Sequence, residues 1–392
     1  MGSLELFTEL TTPNGITIPL HATGAEDVDT ARDALNGPWS QLTAMERGRL
    51  LSRLADIVEA NQEILAAIES WDNGTEHTHR VCLRRTSAYV YYMTAWKLAP
   101  AVATGNCVIL KAAEQTPLSI LYLAALVKEA GFLPDVINII NGYGKDAGAA
   151  LASHEDIDKI AFTGSTETGR QIMKLASKNL KNITLETGGK SPLIVFDDAD
   201  LDKAVYWGHL GIMLNSGQVY DRFLELFLEK SRSAKLGDPF AEDTFQGPQV
   251  NKLQQDRVLG YIEKAKSEGA SLVLGGERWA QGSKGKGYFI EPTVFTNVQS
   301  HMTIYREEIF GPVATVGSFK TEDEAVAQAN DTQFGLGAAL FTKDVGRIHR
   351  LTRKLHSGTA IAARPRSKTS SRLRSLIHIA NPAFHKGNSL NG

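Results

Sequence analysis

Apolar residues recur every three or four positions between residues 50 and 58, where Leu50, Leu51, Leu54, Ile57 and Val58 share one face of a predicted helix. Thr43 followed by Glu46 supplies a capping box at its start, and Asn73-Gly74 supplies a stop. From residue 107 the rhythm changes. Residues 107–111, Cys-Val-Ile-Leu-Lys, are short, apolar and partly β-branched, as a buried parallel strand is. Thr116-Pro117 opens a helix that runs to Gly131. Further strands are predicted over 136–140, 157–162 and 182–185. Asn141-Gly-Tyr-Gly144 makes a tight turn, and Thr163 to Gly169 leads into another helix. Such alternation implies an α/β fold with a parallel sheet and right-handed crossovers. The second half alternates too, with helices over 254–268, 321–330 and 343–356 and strands over 270–274 and 335–342.

Two stretches resist this reading. Between Glu76 and Tyr92 no helix or strand period holds, and His77 and His79 lack the converging partners that a metal centre needs, so a solvated loop is expected there. Past Gly358 the periodicity stops, and the breaker-rich run from Ala362 predicts no regular element.

Composition narrows the class. The chain has 392 residues, 42% hydrophobic and 22% charged, enough for two or three domains with sizeable cores. Two cysteines exclude a disulfide framework or a multi-cysteine metal cluster and point to a reducing, cytoplasmic compartment. No apolar run is long enough to span a bilayer, and no signal peptide opens the chain. The net charge of −2 hides an asymmetry, because the last 48 residues carry ten Lys and Arg and no Asp or Glu. A basic tail of this kind suits nucleic acid or an anionic membrane, but a solvated tail without either partner is the expectation.

Three segments carry candidate chemistry. Gly164-Ser165, between a strand and a helix, has the form of an anion site with free N–H groups at a helix start. A plain tight turn is the competing reading, since the Gly164-x4-Gly169 spacing is not the usual dinucleotide fingerprint. Lys111 and Glu114 lie just past the C-terminal end of a predicted parallel strand, where open α/β sheets bind ligands. A carboxylate there accepts bonds from ribose hydroxyls and repels a 2′-phosphate, favouring NAD over NADP; a helix-start acid beside a solvated lysine is the alternative. Glu186, before the glycines of Leu185-Glu-Thr-Gly-Gly-Lys-Ser-Pro192, suits a general base, although a lone Glu before a turn is more often structural.

These strings occur in one order, together with Ala95-Trp-Lys-Leu-Ala-Pro-Ala-Val-Ala-Thr-Gly-Asn106, Leu110-Lys-Ala-Ala-Glu-Gln-Thr-Pro117, Phe162-Thr-Gly-Ser-Thr-Glu-Thr-Gly169 and Glu307-Glu-Ile-Phe-Gly-Pro312. In that order the chain resembles the NAD(P)-dependent aldehyde dehydrogenase superfamily, in its broad-specificity class. The resemblance implies a Rossmann-type NAD-binding domain over 1–188, an α/β catalytic domain over 189–360, and an irregular basic tail over 361–392. It also implies that Lys111 and Glu114 hold the adenosine ribose, and that Gly144, Gly164, Ser165 and Gly169 shape the adenine and pyrophosphate site. Glu308 would bind the nicotinamide ribose, Phe310 would pack beside the nicotinamide, and Glu186 would be the general base. NAD is the implied cofactor, NADP less so; no metal is implied. The partners are an aldehyde and, as in the family, further copies of the chain.

The family oxidises aldehydes through a cysteine thiolate, and here the pattern breaks. Its motif Asn-x-Gly-Gln-x-Cys, followed by a small-residue turn and a strand, begins as Asn215-Ser-Gly-Gln218 but passes through Val219 to Tyr220. Cys107 lies in the predicted buried strand and Cys82 in the irregular stretch. The position of the family's oxyanion-supporting Asn corresponds to Ala88, and the first strands and the oligomerisation hairpin are largely absent. The resemblance therefore implies an aldehyde oxidoreductase that is impaired or inactive. The alternative is a non-catalytic nucleotide-binding pseudoenzyme, an interaction protein, or the product of a truncated gene model.

Overall fold

The computed structural model describes residues 9–11, 17–19, 26–73, 86–211, 214–216, 220–241, 243–280, 287–363 and 376–380. The chain divides into two compact units, one comprising residues 1–186 with 237–247 and the other 187–236 with 248–392.

In the first unit, a short antiparallel hairpin of β1 (Glu9–Thr11) and β2 (Thr17–Pro19) precedes α1 (Glu26–Asn36), α2 (Ala44–Ala60) and α3 (Gln62–Asn73). The Thr43–Glu46 capping box forms as the spacing predicts. Asn61 interrupts what reads as one long helix: it caps α2, and its side-chain amide donates to the Ile57 carbonyl at 2.8 Å. Next come α4 (Thr86–Ala103), β3 (Val108–Lys111), α5 (Leu118–Glu129), β4 (Ile137–Ile140), α6 (Ala149–Ser153), β5 (Lys159–Thr163), α7 (Thr166–Ala176) and β6 (Asn182–Glu186).

Two expectations are corrected here. The stretch read as irregular up to Tyr92 is helical from Thr86, because α4 is held by packing of its later turns, where Leu98 and Val102 are buried. The four βα strands do not form one sheet: β3 pairs in parallel with β4, and β5 with β6, as two separate ladders. His77, His79 and Cys82 lie outside the described residues.

The core of this unit gathers Trp39, Leu54, Leu65, Leu98, Val102, Tyr122, Leu126 and Phe132. Trp39 is 1% exposed and donates its indole N–H to the Gly105 carbonyl at 2.9 Å, so its one polar atom is satisfied where it is buried.

The second unit is built on an eight-stranded sheet. Its elements are β7 (Leu193–Val195), α8 (Leu201–Gly211), β8 (Leu214–Ser216), α9 (Tyr220–Arg232), α10 (Lys252–Ser267), β9 (Ser271–Leu274), β10 (Thr293–Thr296), α11 (Thr303–Arg306), β11 (Val313–Ser318), α12 (Glu322–Asn330), β12 (Gly337–Phe341), α13 (Val345–Thr352), β13 (Thr359–Ala363) and β14 (Leu376–Ala380). The strand order is β14-β13-β12-β7-β8-β11-β10-β9, with antiparallel pairs only at the two edges. β7 and β10 are buried throughout, as central strands covered on both faces must be. The expectation of no regular element beyond Gly358 is corrected by β13 and β14. β13 is recruited by the open edge of β12, where small Ala360 and Ala362 bury against the sheet, and that demand is invisible to local periodicity.

Among the described residues no helix is long and apolar enough to cross a membrane.

His209 on α8 is 7% exposed, and burial pulls its pKa from 6.5 down to about 4, so the fold holds the ring neutral. The unfolded chain binds that proton more readily, so the associated stability is complete above pH 6.5 and is lost as pH falls from 6.5 towards 4. The loss reaches roughly 3 kcal/mol. Urea titrations across that range are expected to show the slope in the wild type and a flatter one in His209→Gln; equal slopes would remove His209 as its source.

Candidate active site

Both ladders of the first unit end where parallel sheets present ligand-binding loops. At the end of β3, Lys111 stands opposite Ile140 of β4, and the following turns come together. Glu114 is exposed and accepts the Gly144 N–H at 2.7 Å, while the Lys111 ammonium donates to the Ala112 carbonyl at 2.8 Å and its stem runs past Gly148. Burial lowers the Lys111 pKa, with Glu114 opposing that shift. The structure thus brings Lys111, Glu114 and Gly144 into one cluster.

Gly164, Ser165 and Gly169 form a second cluster at the β5–α7 junction. Ser165 is the N-cap of α7 and accepts the Thr168 N–H at 3.1 Å. A Cβ on Gly164 would lie 2.5 Å from the tip of the Phe162 ring, so any other residue there would have to displace that ring. Gly169 is buried within α7, its N–H bonded to the Ser165 carbonyl. Beyond these strand ends, two buried side-chain acceptors have no partner, Asn141 Oδ1 after β4 and Thr166 Oγ1 in the first turn of α7. Orphaned polar atoms are rare in folded chains, and two of them in these loops fit a polar ligand such as a dinucleotide.

The β5–β6 register places Thr163 directly opposite Glu186. The Lys97 ammonium donates to Thr163 Oγ1 at 2.7 Å, and Thr163 Oγ1 lies 3.4 Å from the Glu186 carboxylate. Burial lowers the Lys97 pKa and the nearby Glu186 charge opposes this. Residue-level reasoning singled out Glu186 but missed Lys97 and Thr163. Thr163 carried a usable signal, since it ends one predicted strand just as Glu186 ends another.

In the second unit, Glu308 and Phe310 sit on a strip pinned from several sides. Gly189 donates its N–H to Glu308 Oε1 at 3.4 Å. Gln254, in the first turn of Asn251-capped α10, donates to the Phe310 carbonyl at 2.9 Å. Ile309 is buried between Glu308 and Phe310, whereas Phe310 itself is 77% exposed with φ of +57°. A ring held outward on a strained backbone is a feature of ligand-facing positions.

The remaining candidates concern the nucleophile. Asn215 and Ser216 lie in β8, inserted between β7 and β11; residues 217–219 are outside the described set. Tyr220 begins α9 and packs against the core of the second unit; its phenol pKa is raised by burial. Cys107 is half-buried beside the core of the first unit, with its thiol pushed up to about 11 by burial. A thiol of that kind is protonated near neutral pH and chemically inert. Ala88 lies in α4.

Asp29, His154 and Asp156 bring ligand atoms within 4.8 Å of one another. His154 Nδ1, however, accepts the Asp156 N–H at 3.2 Å, which leaves the neutral ring's proton on the other nitrogen. That arrangement offers no free imidazole lone pair to a metal.

The α/β elements carry these candidate residues in loops at strand ends, and comparison with known proteins defines the class. The sequence pattern of the aldehyde dehydrogenase family matches residues 18–82 and 88–372. The chain belongs to the aldehyde dehydrogenase family. An aldehyde dehydrogenase of Emericella nidulans is 46% identical, the match covering 87% of this chain and 80% of the relative. The human mitochondrial aldehyde dehydrogenase is 44% identical over 85% of this chain and 76% of its own length. Among solved structures, an NAD+ complex of a Bacillus cereus aldehyde dehydrogenase superposes with a TM-score of 0.83 at 37% identity, over 89% of this chain and 82% of that one. The match to the E. nidulans relative extends over 401 positions, more than the 392 residues of the chain, so that relative has residues without a counterpart here.

Proposed function

We propose that this chain binds NAD through the family's cofactor residues but lacks the covalent half of aldehyde oxidation, so that it turns aldehyde over far more slowly than relatives with the nucleophile. The observation that carries this reading is the passage from Asn215-Ser-Gly-Gln218 through Val219 to Tyr220, with no cysteine at the nucleophile position. β8 supports it: a sheet slot between β7 and β11 is filled by the opening residues of the motif itself, as expected if the strand that follows the family's nucleophile has been lost. A partly buried phenol beginning α9, its pKa raised by burial, stays protonated at neutral pH and does not replace a thiolate.

Bound NAD supplies the hydride acceptor. The chain's own residues do the rest. Lys111 and Glu114 receive the adenosine ribose, the N-terminal turn of α7 with Ser165 receives the pyrophosphate, and Glu308 and Phe310 hold the nicotinamide ribose and ring. Glu186, steadied through Thr163 and Lys97, is placed to take a proton from water, yet with no acyl-thioester to hydrolyse that base has nothing to act on. The reaction class is cytoplasmic oxidation of an aldehyde to a carboxylic acid, in a chain whose oligomer-forming segments are reduced. A second reading, a nucleotide-binding protein with no aldehyde chemistry at all, is favoured by the same missing cysteine. The two part on whether any aldehyde-dependent reduction of NAD is seen at all.

The carboxylate of Glu114 predicts cofactor choice. Fluorescence titration is expected to give tighter binding of NAD than of NADP by at least about tenfold, and Glu114→Gln is expected to narrow that preference by about tenfold. Equal affinities in the wild type would remove Glu114 from the ribose site.

A further inference from the structure

Glu308 and Phe310 owe their position to a residue from another part of the second unit. Lys190, in the Gly-Gly-Lys-Ser turn before β7, extends its ammonium to the Ile304 carbonyl at 3.0 Å and the Glu307 carbonyl at 2.9 Å. The neighbouring Gly189 N–H donates to Glu308 Oε1. The turn itself has little freedom. A Cβ on Gly189 would lie 2.8 Å from Leu336 Cβ, and Ser191 has a positive φ of +34°. On the other side the strip is held by Tyr261, whose hydroxyl donates to Glu307 at 2.7 Å, and by Gln254 at the Phe310 carbonyl. Of these ties, Lys190 alone contributes a charge-assisted bond to two backbone carbonyls that bracket the start of the strip, and such bonds are roughly twice as strong as neutral ones.

We propose that Lys190 is a positioning residue for the nicotinamide half of the cofactor site, fixing the Ile304–Glu308 backbone so that Glu308 meets the ribose and Phe310 the ring. The lysine itself touches neither. Burial brings its pKa down to about 8, with Glu308 opposing, so the ammonium is the main form at pH 7 and faces the carbonyls and the nearby carboxylate. This proposal rests on the cofactor reading above, in which Glu308 and Phe310 serve NAD.

The test separates the two halves of the ligand. Wild type, Lys190→Met and Lys190→Gln are each titrated with NAD and with ADP, which carries only the adenine half. Lys190→Met is expected to weaken NAD about tenfold while leaving ADP binding unchanged, with Lys190→Gln between them. In a Glu308→Gln background, Lys190→Met is expected to cost little more, because it acts through Glu308. Unchanged NAD affinity in a folded Lys190→Met variant overturns the proposal. So does loss of the native circular dichroism in both Lys190 variants, which makes the lysine a structural residue. Wild type that fails to bind NAD removes the underlying cofactor reading first, and the proposal falls with it, a result seen before any variant is compared.

Discussion

Mixed with NAD and a simple aldehyde, the purified chain is expected to reduce the cofactor more slowly than a cysteine-bearing relative by on the order of a thousandfold or more. The size of the effect follows from the division of labour in covalent catalysis. A thiolate converts one difficult oxidation into two easier steps, and the base that completes the second step has no role without the first. In the proposed reading Tyr220 stands at the nucleophile position, and burial pushes the alternative thiol at Cys107 up to about 11. Glu186→Gln is therefore expected to leave the small residual rate unchanged. The check is the absorbance of reduced cofactor over time. A rate near that of the relative, abolished by Glu186→Gln, would show that the site works through a group other than the family's cysteine.

Trp39→Ala is expected to destabilise the first unit by about 3–5 kcal/mol, the range for deleting a large buried aromatic. Trp39 is buried in the core that joins α2, α4 and α5, tilts against Phe132 with ring centroids 6.2 Å apart, and satisfies the Gly105 carbonyl. Truncation leaves both a cavity and an unpaired carbonyl, and the loss is a large share of the 5–15 kcal/mol that holds an ordinary domain together. Trp71, 80% exposed on α3, provides the control, since Trp71→Ala is expected to change stability by no more than about 0.5 kcal/mol. Urea unfolding of both variants decides the matter; a cost below about 1 kcal/mol for Trp39→Ala would remove it as a keystone.

What was legible in the sequence is what local chemistry determines. The Thr43–Glu46 cap, the helix starting after Pro117 and the strands around residues 108–111 and 182–186 depend on neighbours within a few positions, and they stand close to where the pattern puts them. The proposed loss of the nucleophile rests on letters alone, since Val219 and Tyr220 follow Asn215-Ser-Gly-Gln218 without a cysteine. What depends on distant partners was not. Thr163 and Lys97 meet across 66 positions and Lys190 reaches Ile304 across 114, so neither reads as part of a site from its own neighbourhood. Likewise β13 forms because β12 offers an open edge, and the split of β3–β4 from β5–β6 reflects a pairing decided between strands. Gly164 has a local role beside its proposed ligand role, because a Cβ there would have to displace the ring of Phe162.

The central claim, a retained cofactor site without the covalent half of the reaction, is tested most directly by calorimetric injection of NAD into the protein with aldehyde present throughout. The account predicts a saturable heat of binding, with the signal returning to baseline after every injection. A sustained deflection that grows with NAD would reveal turnover and contradict the claim on the chemical side; the absence of any saturable heat would contradict it on the cofactor side.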